Sequence, residues 1–156
     1  MDDPKVRRVV EAGRQRGIDV RPHIFSAKTR TAADAAREVG CDVDQIVKTL
    51  VFHSNGEPLL FLVAGNNRLD AKRAARAAGV PAVEKMDAVG AKAATGFSIG
   101  ATPPFGHEHE IPVFMDEDLL THDEVWAAAG RPDAVFPASP AHLRDAVNAV
   151  VAELRE

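Results

Sequence analysis

Two apolar runs, Ile46 to His53 and Leu59 to Val63, flank a Ser54-Asn55-Gly56-Glu57-Pro58 segment. Asn-Gly supplies the two consecutive positive-φ residues of a tight two-residue turn, so the runs are expected to be adjacent antiparallel strands. The first run is dense in β-branched residues. A hairpin in the middle of the chain rules out a helical bundle and a purely parallel, doubly wound sheet.

Helical segments surround the hairpin. Lys5 to Gly17 reads as an amphipathic helix, with Val6, Val9, Val10 and Gly13 on one face and arginines opposite. Thr31 is placed to N-cap a helix that Gly40 stops, with Asp34 three residues on. Asp70 to Ala78, closed by Gly79, and Asp87 to Ala94, ending near Gly96, read as further helices. Ile111 to Met115, Val125 to Ala129 and Ala134 to Phe136 read as strands. Arg21 to Phe25 is a short extended piece. Ser139-Pro140 opens a last helix, with Leu143, Val147 and Val150 expected on one face. The expected fold class is α/β, of the mixed α+β kind, in one domain over residues 1–156.

Composition narrows the function classes. A hydrophobic fraction of 46% excludes disorder of the whole chain. No run reaches the roughly eighteen apolar residues of a membrane span. The start Met1-Asp2-Asp3-Pro4 lacks an apolar h-region, which points to a cytoplasmic protein. The net charge of −4 argues against a large DNA footprint. The charge is uneven: the first thirty residues are rich in Lys and Arg, including Lys28 and Arg30, and 108–124 hold seven acids and no Lys or Arg. Solvated surface is the simpler reading of both. No glycine-rich phosphate loop follows a strand, which lowers the odds of ATP or NAD chemistry, and no cofactor is expected.

Lys48 resists a purely structural account. It shares a strand face with Ile46, Leu50 and Phe52, while Val47 and Val51 occupy the other. It must snorkel to an edge or point into a lined cavity; desolvation would depress its pKa and a bound anion would keep it charged. The segment Thr95 to Gly106 is the second unusual feature. Its glycines permit positive φ, and Pro103-Pro104 stiffens the backbone, giving a loop able to recognise a polar group through main-chain atoms. His107-Glu108-His109-Glu110 would put two histidines on one face of a strand, but the spacing is not that of the helical His-Glu-x-x-His motif and no convincing third ligand is near, so a solvated polar loop is the simpler reading. Cys41 lacks an identifiable base and reads as a packed small residue. Gly65-Asn66-Asn67-Arg68 follows a strand, where binding loops often lie.

The ordered set of Thr31-Ala32-Ala33-Asp34-Ala35-Ala36, Gln45 to Phe52, Gly65 to Asp70, Thr95 to Gly100 and Pro103 to His107 resembles the YbaK/prolyl-tRNA-synthetase-associated domain family. The resemblance implies a mixed, barrel-like sheet flanked by helices. It also implies a free-standing trans-editing hydrolase that removes a wrong, small amino acid from tRNA, often the proline tRNA. The family's essential lysine matches Lys48, and its Gly-x-x-x-Pro loop matches Gly100 to Pro104. The chain departs from the commoner loop at Ala101, where a second glycine is usual.

The expected catalytic set is therefore Lys48, Gly100 and Pro104. The expected substrate contacts are Ile46, Leu50, Phe52, Thr31, Gly65, Ala101, Thr102, Pro103 and His107. Arg68, Lys72 and Arg73, with Arg76, are expected to meet the tRNA, with a synthetase or elongation factor as the class of partner that could deliver it. An aminoacyl ester is already activated, so positioning a water and stabilising charge can suffice without a triad. The competing expectations are a non-catalytic binding module of the same fold and, behind it, a metal-dependent hydrolase using His107 and His109.

Overall fold

The computed structural model describes residues 3–26 and 31–156; Lys28 and Arg30 of the basic N-terminal stretch lie outside them. Helix α1, Pro4–Gln15, is capped by Asp3, whose carboxylate accepts from the Lys5 and Val6 amides, and it buries Val6, Val9, Ala12 and Gly13. A short strand β1, His23–Ile24, follows. Helix α2, Ala32–Val39, begins at the expected cap: Thr31 Oγ1 accepts from the Asp34 amide at 3.1 Å, and Gly40 ends the helix at φ 75°. A Ser or Thr cap of this kind stabilises a helix by about 1 kcal/mol.

Strands β2, Val47–Ser54, and β3, Glu57–Ala64, form the hairpin, with Ser54 opposite Glu57 and Val47 opposite Ala64. Asn55 and Gly56 take φ values of 50° and 84°, the two positive-φ positions that the tight turn requires. Then come α3, Ala71–Ala78, strand β4, Glu84–Lys85, and α4, Ala88–Thr95. Strand β5, Val113–Asp116, leads into a 3-10 turn, Glu117–Thr121. Strands β6, Val125–Ala128, and β7, Ala134–Ala138, precede helix α5, Pro140–Val147, and strand β8, Val150–Ala152.

The strands form two sheets, ordered β1-β7-β6 and β4-β2-β3-β5-β8. The larger is mixed: β2 runs antiparallel to β3 and β4, while β3–β5 and β5–β8 are parallel. A single parallel bridge between Ile46 and Trp126 joins the sheets into a barrel-like seam. The main core lies between them and under α1, with Leu60, Leu62, Met115, Phe97 and Phe136 fully buried. A second cluster around Phe61 and Phe114 lies on the other face of the larger sheet.

One expectation is corrected. Val150 does not continue the last helix face: Asn148 turns left-handed at φ 52° and ends α5, and Val150 opens edge strand β8, half exposed. The sequence pattern missed this because an i, i+4, i+7 spacing persists across the break.

Candidate active site

The hairpin sets the orientation of every group on β2. Ser54 and Glu57 close the two-residue turn, so Lys48, Leu50 and Phe52 turn their peptide groups toward β3 and Val47, Thr49 and Val51 turn theirs to the opposite edge. Strand β4 covers that edge only at Phe52 and His53, extended by a bond from the Met86 amide to the Val51 carbonyl. Beyond that point the edge is open to a cavity of about 560 Å³. One wall is β2 from Ile46 to Leu50, and another is α2 at Thr31, Ala32 and Ala35. Trp126 and Ala128 of β6 and Ala134 and Val135 of β7 form the third wall, and Ile99, Gly100 and Thr102 close the fourth. The Thr49 hydroxyl is buried at this wall without a hydrogen-bond partner.

Lys48 is half buried, and its ammonium donates to the Asn67 main-chain carbonyl on the turn leaving β3. The Asn67 side-chain amide donates to Asp116 Oδ2 at 2.7 Å and to Asp118 Oδ2 at 2.8 Å. Asp116 is fully buried; its carboxylate also accepts from the Ala64 amide at 3.3 Å and the Asp118 amide at 3.1 Å. Burial holds the Lys48 pKa below its ordinary value, the Arg68 guanidinium pushes it the same way, and the Asp116 carboxylate opposes them.

Segment 96–107 is stiffened by hydrogen bonds to its main-chain atoms, most of them with side chains. Thr95 Oγ1, buried, donates to the Ala91 carbonyl at 2.8 Å and accepts from the Phe97 amide at 3.0 Å. The Ser98 carbonyl accepts from the Ala101 amide and from Thr102 Oγ1, both at 3.0 Å. Gly100 adopts φ 85° with nothing within 4 Å of where a Cβ would stand, so the position demands a left-handed backbone rather than space. The His107 ring holds the Pro103 carbonyl through Nε2 at 2.7 Å. Burial pushes the His107 pKa down, as do Arg8 and Arg16, while the hydrogen bond to Pro103 opposes them; the net lowering favours the neutral imidazole, which donates to that carbonyl as Nε2–H.

Of the residues expected from sequence, Lys48, Gly100, Ile46, Leu50, Thr31 and Thr102 meet at one cavity. Others lie elsewhere. Phe52 packs edge-on against Phe61, 5.7 Å between centroids, in the second cluster. A Cβ on Gly65 would stand 2.2 Å from the Val43 carbonyl, so that glycine serves close packing. Ala101 is buried, its carbonyl bonded to the Gly130 amide at 3.1 Å. Pro103 is buried within the loop, and Pro104 and His107 line a second cavity, of about 590 Å³, with Arg16 and α5. Within the loop, Ile99, Gly100 and Thr102 turn to the Lys48 cavity, whereas Pro104 and His107 turn to the other.

Arg68 is well exposed beside Lys48, Lys72 is exposed on α3, and Arg73 is paired with Glu153. Burial, with Asp42 and Glu124, raises the Cys41 thiol pKa, which keeps it protonated at neutral pH. Among the described residues, no three of His, Cys, Asp and Glu converge as metal ligands. No helix there is long and apolar enough to cross a membrane. Sequence reasoning missed the Asn67–Asp116 contact. Its one signal was an acid, Asp116, closing an apolar strand run.

The fold and this cavity agree with what the chain is similar to. Residues 26–146 match the model of the aminoacyl-tRNA editing domain, and the chain belongs to that family. It is accordingly an aminoacyl-tRNA deacylase by class, a hydrolase of the ester between an amino acid and tRNA. A solved structure described as a candidate trans-editing enzyme for prolyl tRNA synthetase superposes with a TM-score of 0.94 at 44% identity, covering 100% of this chain and 99% of that one. EbsC of Enterococcus faecalis, described as a candidate Cys-tRNA(Pro)/Cys-tRNA(Cys) deacylase, is 27% identical over 125 residues, 80% of this chain and 76% of that protein. A proline–tRNA ligase of Maridesulfovibrio salexigens is 31% identical over 103 residues, 66% of this chain but 18% of the ligase.

Proposed function

We propose that this chain acts in trans on tRNA(Pro) mischarged with a small amino acid, with Lys48 and the Gly100–Pro104 segment as its working parts. The observation that carries the reading is that Lys48, Gly100 and Thr102 border one largely apolar cavity at the open edge of β2. The amino-acid side chain enters that cavity, and its volume limits what is accepted. Apolar fit separates neighbouring side chains by only about 1–3 kcal/mol per methylene, so exclusion of larger groups matters more than attraction.

In this reading the Lys48 ammonium holds the terminal phosphate or the ester oxygen, where negative charge builds as water attacks the carbonyl carbon. Main-chain groups around Gly100 hold the α-ammonium and the attacking water. The bond to the ribose oxygen breaks, that oxygen takes a proton, and free amino acid and uncharged tRNA leave. Arg68 and Lys72, both exposed, contact the tRNA backbone weakly, so binding is salt-sensitive.

The test is deacylation of tRNA(Pro) carrying alanine, cysteine, serine, threonine, 2-aminobutyrate or proline. Cleavage of one or more small residues with proline spared is expected. Binding of the mischarged tRNAs without cleavage of any would replace this reading with that of a binding module.

A further inference from the structure

Helix α1 precedes the segment that the family model matches, which begins at residue 26, yet it packs directly behind segment 96–107. Two of its cations reach main-chain atoms of that segment. Lys5 Nζ donates to the Gly96 carbonyl at 2.5 Å, and Arg8 Nε donates to the Gly106 carbonyl at 2.8 Å. The two carbonyls bracket the loop, at glycines held left-handed at φ 84° and 83°. Between them the Phe97 ring is fully buried beneath both cations, with Lys5 Nζ 5.3 Å and Arg8 Cζ 5.1 Å from its centroid. Arg8 also faces Glu108 at 3.7 Å.

The backbones approach closely enough for these contacts to bear on the loop. A Cβ on Gly106 would stand 3.0 Å from Ala12 Cβ, and one on Gly130 would stand 2.8 Å from the Lys5 carbonyl. Gly130 in turn donates to the Ala101 carbonyl at 3.1 Å, next to Gly100. The loop carries three positive-φ glycines, Gly96, Gly100 and Gly106, whose backbone freedom is wide unless something outside the loop restrains it.

We propose that Lys5 and Arg8 are positioning residues for deacylation, pinning the two ends of the loop so that Gly100 and Thr102 are presented to the Lys48 cavity. The proposal rests on the reading that this loop positions the substrate. A misplacement of about 1 Å in a positioning group can lower a rate on the order of 10²-fold, so a tether remote from the reacting atoms can matter to rate.

The test compares Lys5→Met/Arg8→Met, which keeps apolar stems over Phe97 and removes the donors, with Lys5→Arg, which keeps a donor toward Gly96. Gly100→Ala is run beside them. The readouts are saturating deacylation rate and half-saturating concentration on the fastest-cleaved tRNA(Pro) of the panel above, melting temperature, and hydrogen exchange at the Ala101 amide. The expected result for the double variant is a rate lower by about tenfold or more with a little-changed half-saturating concentration, and faster exchange at Ala101. Lys5→Arg keeps most of the rate. An unchanged rate in the double variant while Gly100→Ala slows the reaction would overturn the role of α1 and leave the loop's role standing. A loss of rate that only follows a loss of folded protein, with Ala101 exchange unchanged, would overturn it as well. An unchanged rate in Gly100→Ala would remove the loop reading and this proposal with it.

Discussion

The Asn67 side-chain amide lies 2.7 Å from the buried carboxylate of Asp116, while the Asn67 main-chain carbonyl accepts the Lys48 ammonium. One residue thus links a buried carboxylate on β5 to a half-buried cation on β2, across the intervening strand β3. The link orients the lysine without neutralising it by direct pairing, which leaves the ammonium able to meet an anionic group of the substrate.

This arrangement predicts opposite responses of Lys48 to two substitutions. Asp116→Asn removes the charge that supports the ammonium, so the Lys48 pKa falls further; Arg68→Ala removes a repelling charge, so it rises. Because the folded pKa already lies below the ordinary value, deacylation that uses the ammonium declines on the alkaline side earlier than a free lysine would impose. An NMR titration of the Lys48 side chain in the three proteins reads the order directly. Shifts of the same sign in both variants would contradict it.

Lys48→Met is expected to lower deacylation by at least about 10²-fold, as loss of one stabiliser of developing charge does elsewhere. Its melting temperature should not fall, because the charged form carries a desolvation cost in the fold. Single-turnover rates and thermal melts check the two halves separately.

Gly100 and Gly79 form a matched pair. Both are left-handed, at φ 85° and 70°, and at neither does any atom lie within 4 Å of the place a Cβ would take. Alanine at either costs about 1–2 kcal/mol of backbone strain. Gly79→Ala, at the C-cap of α3, should lose that stability and keep its activity. Gly100→Ala should lose both, and equal activities in the two variants would deny the loop a role.

Ala128→Leu adds bulk to the β6 wall of the cavity. Relative rates on the mischarged panel should move toward the smallest side chains, with 2-aminobutyrate losing more than alanine. A uniform loss across the panel would mean that this wall does not face the side chain of the substrate.

His107 predicts a pH dependence of stability. Its folded pKa lies below the ordinary value of 6.5, so as pH falls the unfolded chain takes up the proton first. The associated stability is therefore full above that ordinary value and is lost as pH falls below it. His107→Gln should flatten the melting temperature between about pH 7.5 and 5.5, the window around that value; an unchanged slope would assign the dependence to other groups.

The hairpin, the caps and the unusual lysine were legible because each is a local device. Asn55-Gly56 sets its own turn, Thr31 and Gly40 bound their own helix, and Lys48 breaks an apolar strand within a few residues. Asn67 was visible only as part of a turn after a strand, because its partners lie 49 and 51 residues away. Phe52 followed the strand alternation correctly and still packed on Phe61, because alternation gives a face and not a neighbour.

The sequence by itself determined the mixed class of the fold, the register of its hairpin and the family signature, since these depend on propensities and spacings within short stretches. Only the tertiary structure decided that Gly100 and Thr102 face Lys48 while Pro104 lines a different cavity, that β4 stops short and leaves the β2 edge open, and that α1 backs the loop. Those outcomes depend on how separate elements pack against one another in three dimensions, and no local pattern encodes the distance between residues 8 and 106.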